Sequence, residues 1–591
     1  MKEFSFTSLL LGMLLAIIFG AANAYLGLKV GMTVCASIPA AVVSMAIVRG
    51  ILRRKSILEN NMVQTIASAG ESLAAGVIFT IPALIIWGIQ PSILKIFVIS
   101  VLGGFLGVLF MIPLRRYLIV KEHKRLPYPE GTACAKVLTA GDEGGVKAKS
   151  VFSGLAVGGV YKFLMSGLGL WNESPGWQIK GYKNAYIGAD ITPALLGVGY
   201  IIGPKISAYI FAGGLLGWLV LIPLISIFGT ETIFPAAEPI AKLTAQQIWH
   251  FYIRYVGAGA VALGGILSLV RAFPVIISSF RSAVVEFIEK RVALKREERD
   301  LPISVVIIGS IVIAILIWHI PFINLNLLGA ILVVIFAFFF VTVSSRLVGL
   351  VGSSSNPASG MTIATLLATS LIFSALGWTG TEGMVAALSV GAVVCIAICM
   401  AGDISQDLKT GYLVSATPEN QQIGEFIGVL TSALVIGLTV FLLDATYKIG
   451  SPKLPAPQAM LMSIVIKGVI QHNLPWGLIL AGIGIAAVVE LFGIPSLPFA
   501  VGLYLPISLS TPIIMGGMIK RIRDTERGVL FSSGLIAGGA VMGILIAILK
   551  FKEIELSLGF KFGNFFSLLI FLLLCGILIR EVTRIMNKNQ S

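Results

Sequence analysis

Residues 60 to 88, NNMVQTIASAGESLAAGVIFTIPALIIWG, make a helix-length apolar run with the carboxylate of Glu71 in its middle. If the run enters a bilayer near Met62, nine residues at about 1.5 Å each put Glu71 on the order of 14 Å deep, near the midplane of a roughly 30 Å slab. An acidic side chain at that depth costs about 2.5–3.5 kcal/mol to insert, so it marks an ion or substrate pathway. The bland alternative is a protonated acid that only joins two helices. Gln64, Ser68 and Glu71 follow steps of four and three, which stacks them on one helical face. A stripe of that kind lines a cavity in which a proton is exchanged and a polar solute is hydrogen-bonded.

Two glycine-rich interruptions of apolar stretches extend the set. Residues 20–34, GAANAYLGLKVGMTV, carry Asn23, Tyr25 and Lys29, and residues 344–362, SSRLVGLVGSSSNPASGMT, carry Asn356. Both end in Gly-Met-Thr, and they follow an odd and an even span, so they face opposite sides. That is the footprint of an inverted repeat with unwound backbone around a central site, with tentative halves 1–300 and 301–591. In this reading Lys29 holds a substrate carboxylate, while Asn23, Tyr25, Gln64, Ser68, Asn356 and Tyr504 supply hydrogen bonds. Asn356-Pro357-Ala358 resembles the water-channel triplet, but one copy reads as a Pro-opened helix break. Residues 402–422, GDISQDLKTGYLVSATPENQQ, read as a polar loop between two spans, with Asp403, Gln406 and Asp407 either an inner gate or a plain cytoplasmic turn. Residues 127–139 place Tyr128 and Glu130 among two prolines, as a gate or a re-entrant packing element. Lys162, inside the fifth span, is a candidate counter-ion for Glu71.

The elements that must position these residues follow from composition. With 57% hydrophobic and 12% charged residues and a mean hydropathy of +0.96, the chain is an all-α polytopic membrane bundle, read as a single membrane domain over 1–591. The net charge of +15 sits in loops, as the positive-inside rule requires, and gives no reason to expect a nucleic-acid partner. Basic loops follow even spans, which puts both termini in the cytoplasm. About 16 spans are expected, plus re-entrant segments, with 458–472 either a span or an interfacial helix. Residues 1–24 imitate a signal peptide but fit the topology better as part of the mature chain. The five cysteines read as small core residues, so no metal site and no cofactor are expected. Gly103 with Gly107, Gly154 with Gly158, Gly213 with Gly217 and Gly539 with Gly543 are small-residue pairs for close helix packing. There is no phosphate-binding loop and no HExxH motif, and four dispersed histidines leave an enzyme unsupported.

At this point the residues carry a resemblance. NAYLGLKVGMT (23–33), QTIASAGESLAAGVIFTIPAL (64–84), PYPEGTACAKVL (127–138), GDISQDLKTGYLVSATPENQQ (402–422) and VGLYLPISLSTPIIMGG (501–517) resemble the oligopeptide transporter family in its prokaryotic branch. The blocks span nearly the whole chain and are also similar to the plant yellow stripe-like metal-chelate transporters. The resemblance implies symport with protons of peptides, peptide-like solutes or metal chelates through a bundle of about 16 helices. It places the chain in a prokaryotic inner membrane, with Glu71 as the proton-coupling group. A homodimer is left open. The alternative reading is a passive channel or facilitator for small polar solutes.

Overall fold

Lipid offers no hydrogen-bond partner to a peptide group, so a chain this apolar satisfies its backbone inside helices. The structure, a computed structural model, describes residues 3–583 except 32, 34, 55, 144–145, 237, 265–266, 268–269, 271–295, 324, 354–355, 357, 472–474, 553, 555, 557 and 559–561. Among the described residues, eleven helices are long and apolar enough to cross a membrane, and strand is confined to one antiparallel hairpin, Gly176–Gln178 with Tyr186–Gly188. The chain is an all-α polytopic membrane protein. Several apolar runs form shorter helices because a turn residue interrupts them. Gly203, at φ 86°, followed by Pro204, ends Pro193–Ile202 and starts Pro204–Leu215.

Residues 1–148 and 268–472 form one compact unit, and 149–267 and 473–591 form another. Each unit draws one segment from the N-terminal and one from the C-terminal part of the chain. Two repeats that each contribute to both units would produce this order.

The first unit contains α1 (Phe6–Val30), α2 (Ser37–Met45), α3 (Ile57–Thr80), α4 (Ile93–Arg115), α5 (Pro129–Glu143), α6 (Ile303–His319), α7 (Leu327–Val351), α8 (Ala358–Ala375), α9 (Gly380–Leu413), α10 (Pro418–Tyr447) and α11 (Pro457–Gln471). The Ser56 hydroxyl caps α3 by accepting from the Glu59 N–H. Small residues then let neighbours approach. A Cβ on Gly70 would sit 2.6 Å from the Cβ of Ala16 on α1, and one on Gly76 would sit 2.5 Å from the Cα of Ile396 on α9. With lipid as apolar as leucine, such van der Waals closeness holds the bundle together. Below the apolar layer, Arg115 of α4 grips Asp300 through Nε at 2.5 Å and Nη2 at 2.9 Å, and Gln422 of α10 donates to the same carboxylate at 2.7 Å.

Helices α5 and α11 are each fifteen residues long and begin on proline. Each is preceded by a non-glycine residue in the left-handed region, Tyr128 at φ 48° and Ala456 at φ 46°. That conformation costs roughly 1–2 kcal/mol per residue, and each is fixed by a backbone bond to a long helix. The Tyr128 N–H donates to Gly349 O of α7 at 2.9 Å, and the Ala456 N–H donates to Leu28 O of α1 at 2.8 Å. Residues 458–472, left open as a span or an interfacial helix, are mostly the buried α11, and His472 lies outside the described residues.

In the second unit, Pro193–Ile202 and Pro204–Leu215 pack on Ser496–Tyr504 and Ile507–Ile522 through reciprocal glycines. A Cβ on Gly199 would strike Ile513 O, and one on Gly516 would strike Leu196 O. Gly154 and Gly158 meet Phe531 and Leu535 of the helix Glu526–Phe551 in the same manner.

Candidate functional site

Helix α1 ends at Gly31, whose φ of 78° turns the chain out of the helix before α2 resumes at Ser37. Helix α7 ends likewise at Gly352, φ 86°, before α8 begins at Ala358. Each break is held by the short helix that docks on it. Glu130 of α5 accepts the Ser353 N–H at 2.7 Å, and a Cβ on Gly352 would lie 2.7 Å from its Oε1, so only glycine admits the carboxylate. Gln458 of α11 donates from Nε2 to Gly31 O at 3.0 Å. Gln406 completes the second junction, accepting the Gly131 N–H at 2.7 Å and donating to Val348 O at 3.1 Å. Asn356 donates to the Ser344 hydroxyl at 2.9 Å; Ser354, Ser355 and Pro357 lie outside the described residues.

The stretch 402–422 is not a loop. Residues 402–413 are the last turns of the 34-residue α9, 418–422 open α10, and only 414–417 connect them. Asp403, Gln406, Asp407 and Thr410 repeat at helical spacing, and all are buried. Their polarity comes from facing the interior of the first unit, not from exposure to water.

Glu71 sits within α3 at 2% exposure. Asn23 of α1 donates to its Oε1, and the Ala36 N–H, beside the first break, donates to its Oε2 at 3.2 Å. Asp403 accepts from Ser72 of α3 through Oδ2, while its buried Oδ1 has no hydrogen-bond partner among the described residues. The Cys35 sulfur and carboxylate oxygens of Glu71 and Asp403 lie within 4.8 Å of one another. Two ionised carboxylates at that separation repel by about 3.5 kcal/mol even at an effective dielectric of about 20. Standing doubly charged is therefore costly for the pair. Both Glu71 oxygens already accept hydrogen bonds, and the Cys35 thiol points to Ser37 Oγ at 3.3 Å, an arrangement suited to proton exchange more than to metal ligation.

One turn further, Asp407 Oδ1 accepts from the Ser37 hydroxyl at 3.0 Å, which also lies 3.0 Å from Ser68 Oγ. Gln64 is wholly buried, donating to Asn61 at 3.2 Å and Thr65 at 3.1 Å. The sequence reading did not single out Glu425 of α10, which is also wholly buried and electrostatically close to Asp407 and Asp403. Helix α10 begins at Pro418 and carries it two turns inward. Ser37 and Gln458 were likewise not singled out; the glycine break beside each was the available signal.

Among the described residues, no salt bridge reaches Glu71, Asp403, Asp407 or Glu425. Lys29 is buried with its ammonium 5.9 Å from the Tyr25 ring centre. Lys409 turns away from its helical neighbours Asp403 and Asp407 to His123 Nδ1, 2.8 Å away, and to the Leu126 carbonyl at 3.3 Å. Desolvation and the Lys409 charge hold the His123 imidazole below its usual pKa. Lys162 is not the counter-ion of Glu71. It belongs to the second unit and pairs with Glu173 at 2.7 Å, because the chain turns back beyond its helix and brings that carboxylate to it. Tyr504 also belongs to the second unit, where its hydroxyl accepts from Arg254 at 3.3 Å. The structure thus gathers Asn23, Gln64, Ser68, Glu71, Glu130, Asn356, Asp403, Gln406 and Asp407 within the first unit around the two breaks, together with Tyr25 and Lys29 of α1.

Comparison with known proteins bears on this arrangement. The profile of the family described as "OPT oligopeptide transporter protein" matches residues 3–550. A Haemophilus influenzae protein described as a "Putative oligopeptide transporter" is 33% identical, over 94% of this chain and 98% of its own length. The Arabidopsis thaliana "Probable metal-nicotianamine transporter YSL6" is 24% identical over 79% of this chain and 75% of its own length. The Zea mays "Iron-phytosiderophore transporter yellow stripe 1" is also 24% identical, over 78% and 73%.

Proposed function

This chain belongs to the OPT oligopeptide transporter family, and from that we propose that it is a proton-coupled symporter of short peptides or of peptide-like and metal-chelate solutes. The observation that carries the reading is Glu71, buried beside Asp403 and bonded to the backbone of a helix break. Glu71 takes a proton from the outer side while the substrate enters, the site closes, and both leave inward. Lys29 meets a substrate carboxylate, and Asn23, Tyr25, Gln64, Ser68 and Asn356 offer hydrogen bonds at the level of the breaks, where exposed backbone dipoles add to them. Glu130 and Gln458, each clamping one break, act as the two gates of an inverted repeat, with Asp403, Gln406 and Asp407 lining the inner path. The protein sits in a prokaryotic inner membrane with both termini inside, in about 16 passes.

The test is uptake. Purified protein is screened by thermal shift against short peptides, glutathione-like thiols and metal chelates, and a stabilising compound is followed into proteoliposomes under an imposed pH gradient. Accumulation above the outside concentration is expected. Equilibration without accumulation would make the protein a facilitator instead.

A further inference from the structure

Among the described residues of the first unit, Glu71, Asp403, Asp407 and Glu425 are buried besides Glu3 and Glu59, and Glu71 with Asp403 makes one close pair. Glu425 stands apart by its chemistry. Its side chain is wholly buried, and among the described residues neither carboxylate oxygen has a hydrogen-bond donor. An ionised carboxylate so placed would forgo both water and donors, the costliest state a buried acid can occupy.

The walls around it are dry. Helix α10 lies against α3 through small residues on either side of Glu425. A Cβ on Gly424 would stand 2.8 Å from Met62 Sδ, and one on Gly428 would strike Ile66 O. A turn later the Ser432 hydroxyl donates to Gly70 O at 2.8 Å. One turn earlier, Gln421 donates to Thr65 Oγ1 at 3.1 Å and to the Asp407 carbonyl at 2.9 Å, fastening α10 to α3 and α9. Among the described residues, the charged groups that act on Glu425 are Asp407 and Asp403 of α9. Asp407 also keeps one buried oxygen, Oδ2, without a partner. Among the described residues, no third acid, histidine or cysteine joins these two within the reach of one ion, which favours a proton over a metal as the cation held here.

We propose that Glu425, with Asp407 of the helix that Gln421 fastens to α10, is a second proton-carrying site of the transport cycle, distinct from the Glu71–Asp403 pair. Glu425 keeps its proton while α3, α9 and α10 are packed together, and releases it through Asp407 when the inner side of the unit opens. The proposal rests on the proton-coupled reading, so a cycle would move more than one proton.

Infrared difference spectroscopy of the full-length protein in liposomes, titrated with pH in potassium buffer and with no substrate present, tests the site itself. A protonated carboxyl free of hydrogen bonds gives a C=O stretch at the high-frequency end of the carboxyl range. That band is expected in the wild type and in Glu71→Gln, lost in Glu425→Gln, and shifted in Asp407→Asn. Persistence of the band in Glu425→Gln overturns the proposal, as does its loss on replacing potassium with sodium, which would identify an alkali-cation site. Loss in Glu71→Gln with retention in Glu425→Gln also overturns the second site, while leaving the role of Glu71 standing. Should Glu425→Gln fail to fold, an unshifted band in Asp407→Asn is by itself a contrary result.

Discussion

Replacing Glu130 by alanine removes a carboxylate that holds the Ser353 N–H at the second helix break, a contact of 2.7 Å. A hydrogen bond to an ionised acceptor contributes about 1.5–3 kcal/mol net, and about 1.4 kcal/mol is a factor of ten in an equilibrium. The open form of the break should therefore gain about 10- to 150-fold in population in the variant. Amide hydrogen exchange reads that population directly when opening and closing are fast. Peptides covering 350–357 should lose protection by this factor, while peptides covering the first break at 29–36, which Gln458 holds instead, should not change. Glu130→Gln keeps an oxygen acceptor without the charge and should fall between wild type and alanine. Unchanged exchange at 350–357 in Glu130→Ala would refute the clamp, and equal loss at both breaks would show a general loosening of the unit instead.

Gly428→Ala presses a methyl group on Ile66 O and to 2.7 Å from the Ala69 Cβ; overpacking of this kind costs about 1–3 kcal/mol, so the melting temperature in detergent should fall, and an unchanged melt would contradict the tight contact of α10 with α3. Lys162→Met should leave uptake driven by a pH gradient as in the wild type, because Lys162 serves Glu173; loss of coupling would restore it as a partner of Glu71. His123, whose pKa is lowered by desolvation and then by Lys409, should titrate below a free imidazole by NMR, and Lys409→Met should raise the midpoint. Since the folded value is the depressed one, the stability linked to His123 is full above the ordinary imidazole pKa and is lost as pH falls through the lowered folded value; a midpoint at or above that of free imidazole would refute the contact.

Much of the frame was legible in residue order. The apolar runs gave the class of the fold, and the steps of four and three among Gln64, Ser68 and Glu71 gave the polar face of α3, because helical period survives in any environment. The glycine breaks at Gly31 and Gly352 were visible as composition, though α1 runs unbroken through Asn23, Tyr25 and Lys29 before the first of them. What misled was polarity read as exposure. Asp403 to Thr410 looked like a loop because polar density usually means solvent, yet the same residues recur at helical spacing and turn inward. Glu425 falls just past the polar stretch 402–422, and the helix that buries it starts at a proline two turns before it. Lys162 could not have been assigned from order alone, since its partner Glu173 reaches it through a turn that hydropathy does not record.

The account depends most directly on Glu71, and one comparison of wild type with Glu71→Gln in proteoliposomes tests it. The glutamine keeps the size of the side chain and an oxygen for one of the two donors, Asn23 or the Ala36 N–H, and the variant should fold and still bind a compound that stabilises the wild type. Uptake driven by a pH gradient should vanish, while exchange of labelled for unlabelled substrate across the membrane persists. Accumulation in Glu71→Gln that still follows the pH gradient at the wild-type level would contradict the central claim.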